Sequence, residues 1–78
     1  MSIETKLARA MSELDERGVL VLQDPEIDTT RITRVTRGWK LVSEQDGETF
    51  GSYLEPSRED LEKTIRLWLK CQEQIDSL

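Results

Sequence analysis

The sequence contains few residues with the chemistry of an enzyme. It has one cysteine, Cys71, and no histidine, so it lacks both the commonest general base and a thiol–imidazole pair. Cys71 lies late in a predicted helix, away from the N-terminal end where reactive thiols are favoured, and it is interpreted as a packing residue. A single cysteine also excludes an internal disulfide and, without histidine, a zinc site. The sequence therefore predicts a protein that is not an enzyme and holds no cofactor.

One acidic cluster resembles a metal site and does not meet its requirements. Asp24, Glu26 and Asp28 alternate as the acids of a calcium loop do. Thr29 replaces the glycine that such a loop needs for its turn, and Val35 replaces its final bidentate glutamate. The prediction is a polar loop with no metal.

The remaining chemistry is electrostatic. The chain carries 16 acidic and 11 basic residues, for a formal net charge of −5. Residues 29–43 contain no acid and four cations, Arg31, Arg34, Arg37 and Lys40. Such a strand region beside Tyr53 could hold phosphates and stack a base, or it could face an acidic protein. The acidic net charge and the lack of a nucleic-acid-binding motif favour the protein.

The first elements are a helix and a short strand. Residues 2–17 are predicted to be helical, with Gly18 at the position that commonly ends a helix. The apolar residues recur at helical spacing on one narrow face: Ile3, Leu7, Ala10, Met11 and Leu14. Residues 19–22 are apolar and partly β-branched, which predicts a strand with two apolar faces. Either both faces are covered, or one is free to meet a partner.

A tight hairpin is predicted at Asp46-Gly47. A two-residue turn there pairs Leu41 with Ser52 and Trp39 with Leu54. The face of this hairpin toward the core then carries Trp39, Leu41, Phe50 and Leu54. The opposite face carries Lys40, Val42 and Tyr53 among others.

Residues 31–38 have two interpretations. In the first, Arg37-Gly38 forms a turn, Ile32 opposes Ser43 and joins the core face, and Val35 joins Val42 on the opposite face. In the second, the region is one long bent strand with a bulge near Gly38.

The sequence from 57 to 78 predicts the longest helix. Pro56 precedes Ser57, which is suited to cap the helix, and Glu59 and Asp60 place negative charge in the first turn. The apolar residues span an arc of roughly 200° around the helix axis. They are Leu61, Ile65, Leu67, Trp68, Leu69, Cys71, Ile75 and Leu78. An arc this wide predicts that the helix contacts two different surfaces.

The predicted fold is α+β, a single small domain over residues 1–78. It is a two-layer sandwich with an N-terminal helix, a three- or four-stranded antiparallel sheet and a long C-terminal helix. Its apolar surface exceeds what one small core uses, which favours an interaction protein, a regulator or inhibitor that covers a partner protein. The simpler alternative is that the two helices bury each other's flanks.

The interaction hypothesis names candidate residues and partners. The candidate partner-binding residues are Arg31, Val35, Arg37, Lys40, Val42, Tyr53, Leu67 and Cys71. A homodimer through the flank that contains Leu67 is one prediction. Nucleic-acid binding through residues 31–40 is the alternative function. The lone cysteine and the lack of a signal peptide or membrane-length apolar run predict a soluble cytoplasmic protein with no membrane partner.

Overall fold

The computed structural model describes residues 2–24 and 27–76, without the side chains of Ile27 and Phe50. The fold consists of a four-stranded antiparallel sheet with one helix before it and one helix after it in the sequence, as predicted. The elements are α1 Ile3–Arg17, β1 Val19–Asp24, β2 Ile27–Val35, β3 Gly38–Gln45, β4 Glu48–Glu55 and α2 Arg58–Asp76. The strands follow one another across the sheet in the order β1-β2-β3-β4.

Helix α1 begins and ends with specific caps. The Thr5 N–H donates to the Ser2 side-chain oxygen at 3.2 Å, so Ser2 is the N-cap and the helix starts one residue later than predicted. Gly18 adopts the left-handed conformation, with φ of 74°, and its N–H donates to the Leu14 carbonyl at 2.8 Å. The predicted apolar face is confirmed: Leu7, Ala10, Met11 and Leu14 are buried, and Ile3 packs at the edge of the core.

Both helices lie on the same face of the sheet. Leu20, Ile32 and Leu41 lie opposite one another on β1, β2 and β3, and none is more than 5% exposed. They join the buried residues of both helices in one aliphatic cluster. The other face of β1 is uncovered, because Val19 is 38% exposed and Val21 is 45% exposed. Of the two predicted environments for this strand, the structure has the one with a free face.

The connection from β2 to β3 is a tight turn at Thr36-Arg37, between Val35 and Gly38. The predicted turn exists, but it lies one residue before the predicted position at Arg37-Gly38. The alternative interpretation, one long bent strand with a bulge near Gly38, is wrong. Ile32 lies opposite Leu41 rather than Ser43. Because the shift moves pairing by two residues along β3, every side chain keeps its predicted face.

The hairpin from β3 to β4 departs further from the prediction. Asp46-Gly47 is the turn and Glu44 lies opposite Thr49, but Ser43 lies opposite Gly51, so a bulge places one extra residue in β4. Beyond this bulge the predicted register is wrong by one residue. Consequently Leu54, predicted to be in the core, lies opposite Lys40 and is 50% exposed.

The same bulge moves Tyr53 to the helix-covered face, opposite Leu41. Its predicted place beside Val42 on the other face is therefore wrong. The predicted core position of the Phe50 side chain lies outside the described part of the chain.

Helix α2 contacts both the sheet and α1, as its wide apolar arc predicts. The Asp60 N–H donates to the Ser57 hydroxyl at 3.3 Å, so Ser57 caps the helix. Leu61, Ile65 and Leu69 are buried, and Trp68 and Ile75 are partly buried. The indole N–H of Trp68 donates to the Asp28 carbonyl oxygen at 3.3 Å, which ties α2 to the start of β2. The predicted role of Leu78 concerns a residue outside the described ranges.

Candidate interaction surface

The candidate site is the face of the sheet that neither helix covers, here called the open face. Side chains alternate between the two faces of a strand, so the neighbours of the buried residues Leu20, Ile32 and Leu41 point to the open face. The strand register shows which of these side chains lie next to each other.

One cross-strand row of the open face is aliphatic at two positions and cationic between them. Val21, Arg31, Val42 and Ser52 lie opposite one another on β1, β2, β3 and β4. Val21 is 45% exposed, Arg31 is exposed and Val42 is half-buried. Directly opposed side chains in a sheet contact each other, so Arg31 lies between two valines.

The next row has the same character. Val19, Thr33, Lys40 and Leu54 lie opposite one another across the four strands. Val19 and Leu54 are exposed at the two ends of the row, and Val35, 37% exposed, lies two residues beyond Thr33 on β2. The two rows together form an aliphatic surface with Arg31 and Lys40 at its centre.

The cations of the open face have no acidic partner among the residues that the structure describes. Arg31 and Lys40 have no ion-pair or hydrogen-bond partner for their side chains among the residues that the structure describes. The same holds for Arg37 in the turn that ends β2, within the described ranges. Glu44 is the acid nearest to them along β3, opposite Thr29 on the same face. Two neighbouring cations on an exposed surface suit a partner protein that supplies carboxylates.

Some other cations of the domain have ion-pair partners, and two of these pairs connect the helices. Arg58 on α2 donates two hydrogen bonds to the carboxylate of Asp15 on α1, each at 2.9 Å. These bonds lower the pKa of Asp15, and Arg34 on the helix-covered face of the sheet adds a weaker attraction. Arg34 therefore adds positive charge near the Arg58–Asp15 pair that joins the two helices, and it is not part of the open face.

A second ion pair holds the other ends of the helices together. Arg66 donates to the carboxylate of Glu4 at 2.9 Å, and this hydrogen bond lowers the pKa of Glu4. The two pairs show that α1 and α2 run antiparallel and side by side, because Glu4 meets Arg66 while Asp15 meets Arg58.

The predicted partner-binding residues separate into three groups. Arg31, Val35, Lys40 and Val42 lie together on the open face, and Arg37 lies in the adjoining turn. Tyr53, Leu67 and Cys71 do not join them. Tyr53 is on the helix-covered face, where it is 49% exposed.

The exposed residues of α2 form a separate flank. Leu67 is 63% exposed and Cys71 is exposed, so the interpretation of Cys71 as a packing residue is wrong. The buried residues of α2 recur every four positions, and that narrow line leaves this flank of the predicted arc uncovered.

Val19, Val21 and Leu54 belong to the open face although the candidate residues did not include them. The alternation of Val19 and Val21 with buried Leu20 and Leu22 is the signal that identifies the first two. Leu54 had no such signal, because the bulge that exposes it depends on the pairing of β3 with β4.

The C-terminal end of β1 is bonded to α2. The side-chain amide of Gln72 donates to the Asp24 carboxylate at 3.1 Å. Glu26 lies outside the described residues, so the predicted metal-free loop is not tested as a whole. Among the residues that are described, no group of three or more acids and cysteines is arranged to hold a metal ion.

No protein family, no characterised protein and no solved structure matches this chain. Among the described residues, no helix has both the length and the apolar character needed to cross a bilayer. The function is therefore argued from the open face alone.

Proposed function

We propose that this protein is a protein-binding module, a regulator or inhibitor that acts by covering a partner's surface with its open face. The observation that carries the proposal is the pair of free cations, Arg31 and Lys40, within a frame of exposed aliphatic side chains. An apolar patch with a few fixed charges is typical of a specific interface.

The dimensions of the domain support this proposal. The molecule has principal extents of 39, 30 and 19 Å, and the open face spans all four strands of the sheet. A standard interface buries about 800 Å² on each partner, which a side of this size can provide. The partner that fits is a protein surface with aliphatic side chains around carboxylates, because these groups match the valines and the two cations.

Nucleic-acid binding remains the alternative, since free cations also bind phosphates. The arrangement of Tyr53 favours the protein partner. Tyr53 lies on the helix-covered face, opposite Leu41, so it cannot offer a stacking surface beside Arg31 and Lys40 on the open face. A single cysteine, Cys71, is in keeping with action in the cytoplasm.

The test is an affinity capture from the native host with matched variants, with and without nuclease. The first variant carries Arg31→Glu and Lys40→Glu, and the second carries Val42→Asp. The control is Arg9→Glu, which reverses an exposed cation on α1, on the other side of the molecule. All variants must first match the parent in melting temperature within a few degrees.

We expect one protein to be retained by the parent and by the Arg9→Glu control, with or without nuclease. The two open-face variants should lose it. Capture that all variants share equally contradicts the assignment of the open face. Two results establish the nucleic-acid alternative instead. One is a capture that nuclease abolishes, and the other is labelled RNA or DNA that binds the parent, but not the double variant, at about 50 mM salt.

A further inference from the structure

Strand β1 has one paired side and one free side, because the sheet order places it at the edge. Among the described strands, none lies beside the main-chain groups on this free side. An edge strand of this kind is a template for another strand unless charges, prolines or bulges block it.

The hydrogen-bond pattern shows which residues present their main chain to the free side. The Arg34 N–H donates to the Gly18 carbonyl at 2.8 Å, which makes this a hydrogen-bonded pair at the start of β1. Hydrogen-bonded and non-hydrogen-bonded pairs alternate along an antiparallel ladder. Leu20 and Leu22 therefore bond to β2, whereas Val19 and Val21 direct their N–H and C=O groups outward.

Over residues 19–23 the free side of β1 carries none of the usual blocking features. The one charge of the strand, Asp24, and a shift of its register with β2 both lie at its C-terminal end. Residues 19–23 include no charge and no proline, and Val19 and Val21 expose their side chains on the open face as well. The opposite edge, β4, is interrupted by its bulge and has a glutamate at each end, Glu48 and Glu55. The two edges of the sheet thus differ, and β1 is the one suited to pairing.

The adjacent flank of α1 is complementary to a copy of itself. Glu4 and Asp15 point toward α2, so the flank on the far side of α1 extends over the edge of β1. At about 100° per residue, that flank carries Lys6 in its first half and Glu13 and Arg17 in its second half. Arg17 donates to the Glu13 carboxylate at 3.5 Å within each copy, so the contact across the axis shares Glu13 with this exposed pair. A two-fold axis reverses the helix direction, so it brings Lys6 of each copy toward Glu13 of the other.

We propose that β1 pairs antiparallel with β1 of a second copy of this chain, joining the two sheets into one. The register that uses the outward-directed residues places Val21 opposite its own copy and Val19 opposite Gln23 of the second copy. The exposed valines of both copies then meet on the open face, and the two α1 helices lie side by side above the junction. This surface differs from the Leu67 flank that the sequence suggested for a dimer.

The first measurement is amide hydrogen exchange across a concentration series up to about 1 mM, combined with sedimentation. We expect the mass to rise to that of a dimer and the Val21 amide to become protected in parallel. The Leu20 and Leu22 amides are bonded within the monomer and serve as internal controls, protected at every concentration. A monomer mass throughout, or a dimer in which the Val21 amide exchanges freely, overturns the proposal.

The second measurement uses variants of the edge. Val21→Pro removes only an outward-directed N–H, which an edge strand tolerates, and should raise the dimer Kd at least about tenfold. Val21→Lys, a charge of the kind that protects natural edges, should do the same if the proline variant does not fold. Val21→Thr keeps the N–H and the β-branched shape, and should leave the Kd within about threefold. A dimer unaffected by either blocking variant contradicts edge pairing.

The third measurement tests the charges above the junction. Lys6→Glu and Glu13→Lys should each weaken the dimer, and the double variant should recover most of the loss, since it restores opposite charges across the axis. Leu67→Glu should leave the mass unchanged, because α2 is not part of this junction. If Leu67→Glu abolishes the dimer and the Lys6→Glu, Glu13→Lys double variant does not recover it, the interface lies on α2 and the proposed pairing through β1 is refuted. The variants of Lys6, Glu13 and Leu67 leave the open face unchanged, so they test dimerisation separately from partner binding. The Val21 variants change the open face as well as the edge.

Discussion

The carbonyl oxygen of Glu55 occupies the space that a β-carbon at Gly38 would need. Gly38 also has φ of 137°, a backbone conformation that residues with a side chain rarely adopt. The first residue of β3 must therefore be glycine for the end of β4 to pass beside it and lead into α2.

Gly38→Ala should consequently destabilise the domain by at least about 3 kcal/mol, through the contact and the backbone strain together. Gly47 is the matched control, because it has φ of 81° and no atom lies within 4 Å of the place that its β-carbon would take. Gly47→Ala should cost only about 1 kcal/mol. Urea denaturation measures both, and equal losses would show that the contact with Glu55 has no energetic consequence.

The two tryptophans should respond differently to the same substitution. The Trp68 indole N–H is bonded to the Asp28 carbonyl, whereas the buried Trp39 N–H has no partner in the part of the chain that is described. Trp68→Phe removes a bond and leaves an acceptor unpaired, and Trp39→Phe removes an unpaired donor. We expect Trp68→Phe to be the more destabilising by about 1 kcal/mol in chemical denaturation. The reverse order would contradict these assignments.

The ion pairs between the helices predict a pH dependence. Hydrogen bonds from Arg66 and Arg58 lower the pKa values of Glu4 and Asp15 in the folded state, so both pairs stabilise the fold at neutral pH. That stabilisation is lost as the pH falls from about 4 through the lowered values. Because the groups are exposed, the effect is small.

A Glu4→Gln, Asp15→Asn double variant should accordingly melt slightly below the parent at pH 7, with the difference closing as the pH falls below the ordinary pKa values of the two carboxyl groups. Glu16→Gln changes an exposed acid that has no ion pair among the described residues, and should show no such convergence. Thermal melts across this acidic range and at neutral pH provide the comparison. A difference that stays constant with pH would mean that the two carboxylates contribute nothing through their charge.

The bulge in β4 makes a further prediction, about Leu54 and Leu41. Leu54 is half exposed on the open face and Leu41 is 1% exposed in the core. Leu54→Ala should therefore change the free energy of unfolding by less than about 1 kcal/mol, and Leu41→Ala should lower it by about 2–5 kcal/mol. Comparable losses in the free energy of unfolding would contradict the bulge and support the register without it, in which both leucines are buried.

The sequence predicted the parts of the fold that depend on periodicity. The caps at Ser2 and Ser57 and the buried faces of both helices follow from residues close together in the chain. The error in the position of the turn before Gly38 did not change the predicted faces of β2 and β3, since a register shift by an even number of residues keeps each side chain on its face.

Features that depend on distant residues were not predictable. The bulge shifts the register of β4 by one residue, so Tyr53 and Leu54 lie on the faces opposite to those predicted. No residue type near the bulge predicts its position. The Arg58–Asp15 pair joins residues 43 positions apart, and nothing in the local pattern selects these two from the other charges. The candidate site was predicted in part for the same reason: its β2 and β3 residues follow from alternation, and its β4 member does not.

The order of the strands bears on how the chain folds. Each strand pairs only with the strand before or after it, so the whole sheet can assemble from successive short loops with little loss of loop entropy. The contacts of the two helices join the most distant of the described parts of the sequence, as Arg66 does with Glu4, 62 positions away. Chains dominated by local contacts cross their folding barrier quickly. We therefore expect rapid folding, with the docking of α2 against α1 as the step that closes the domain.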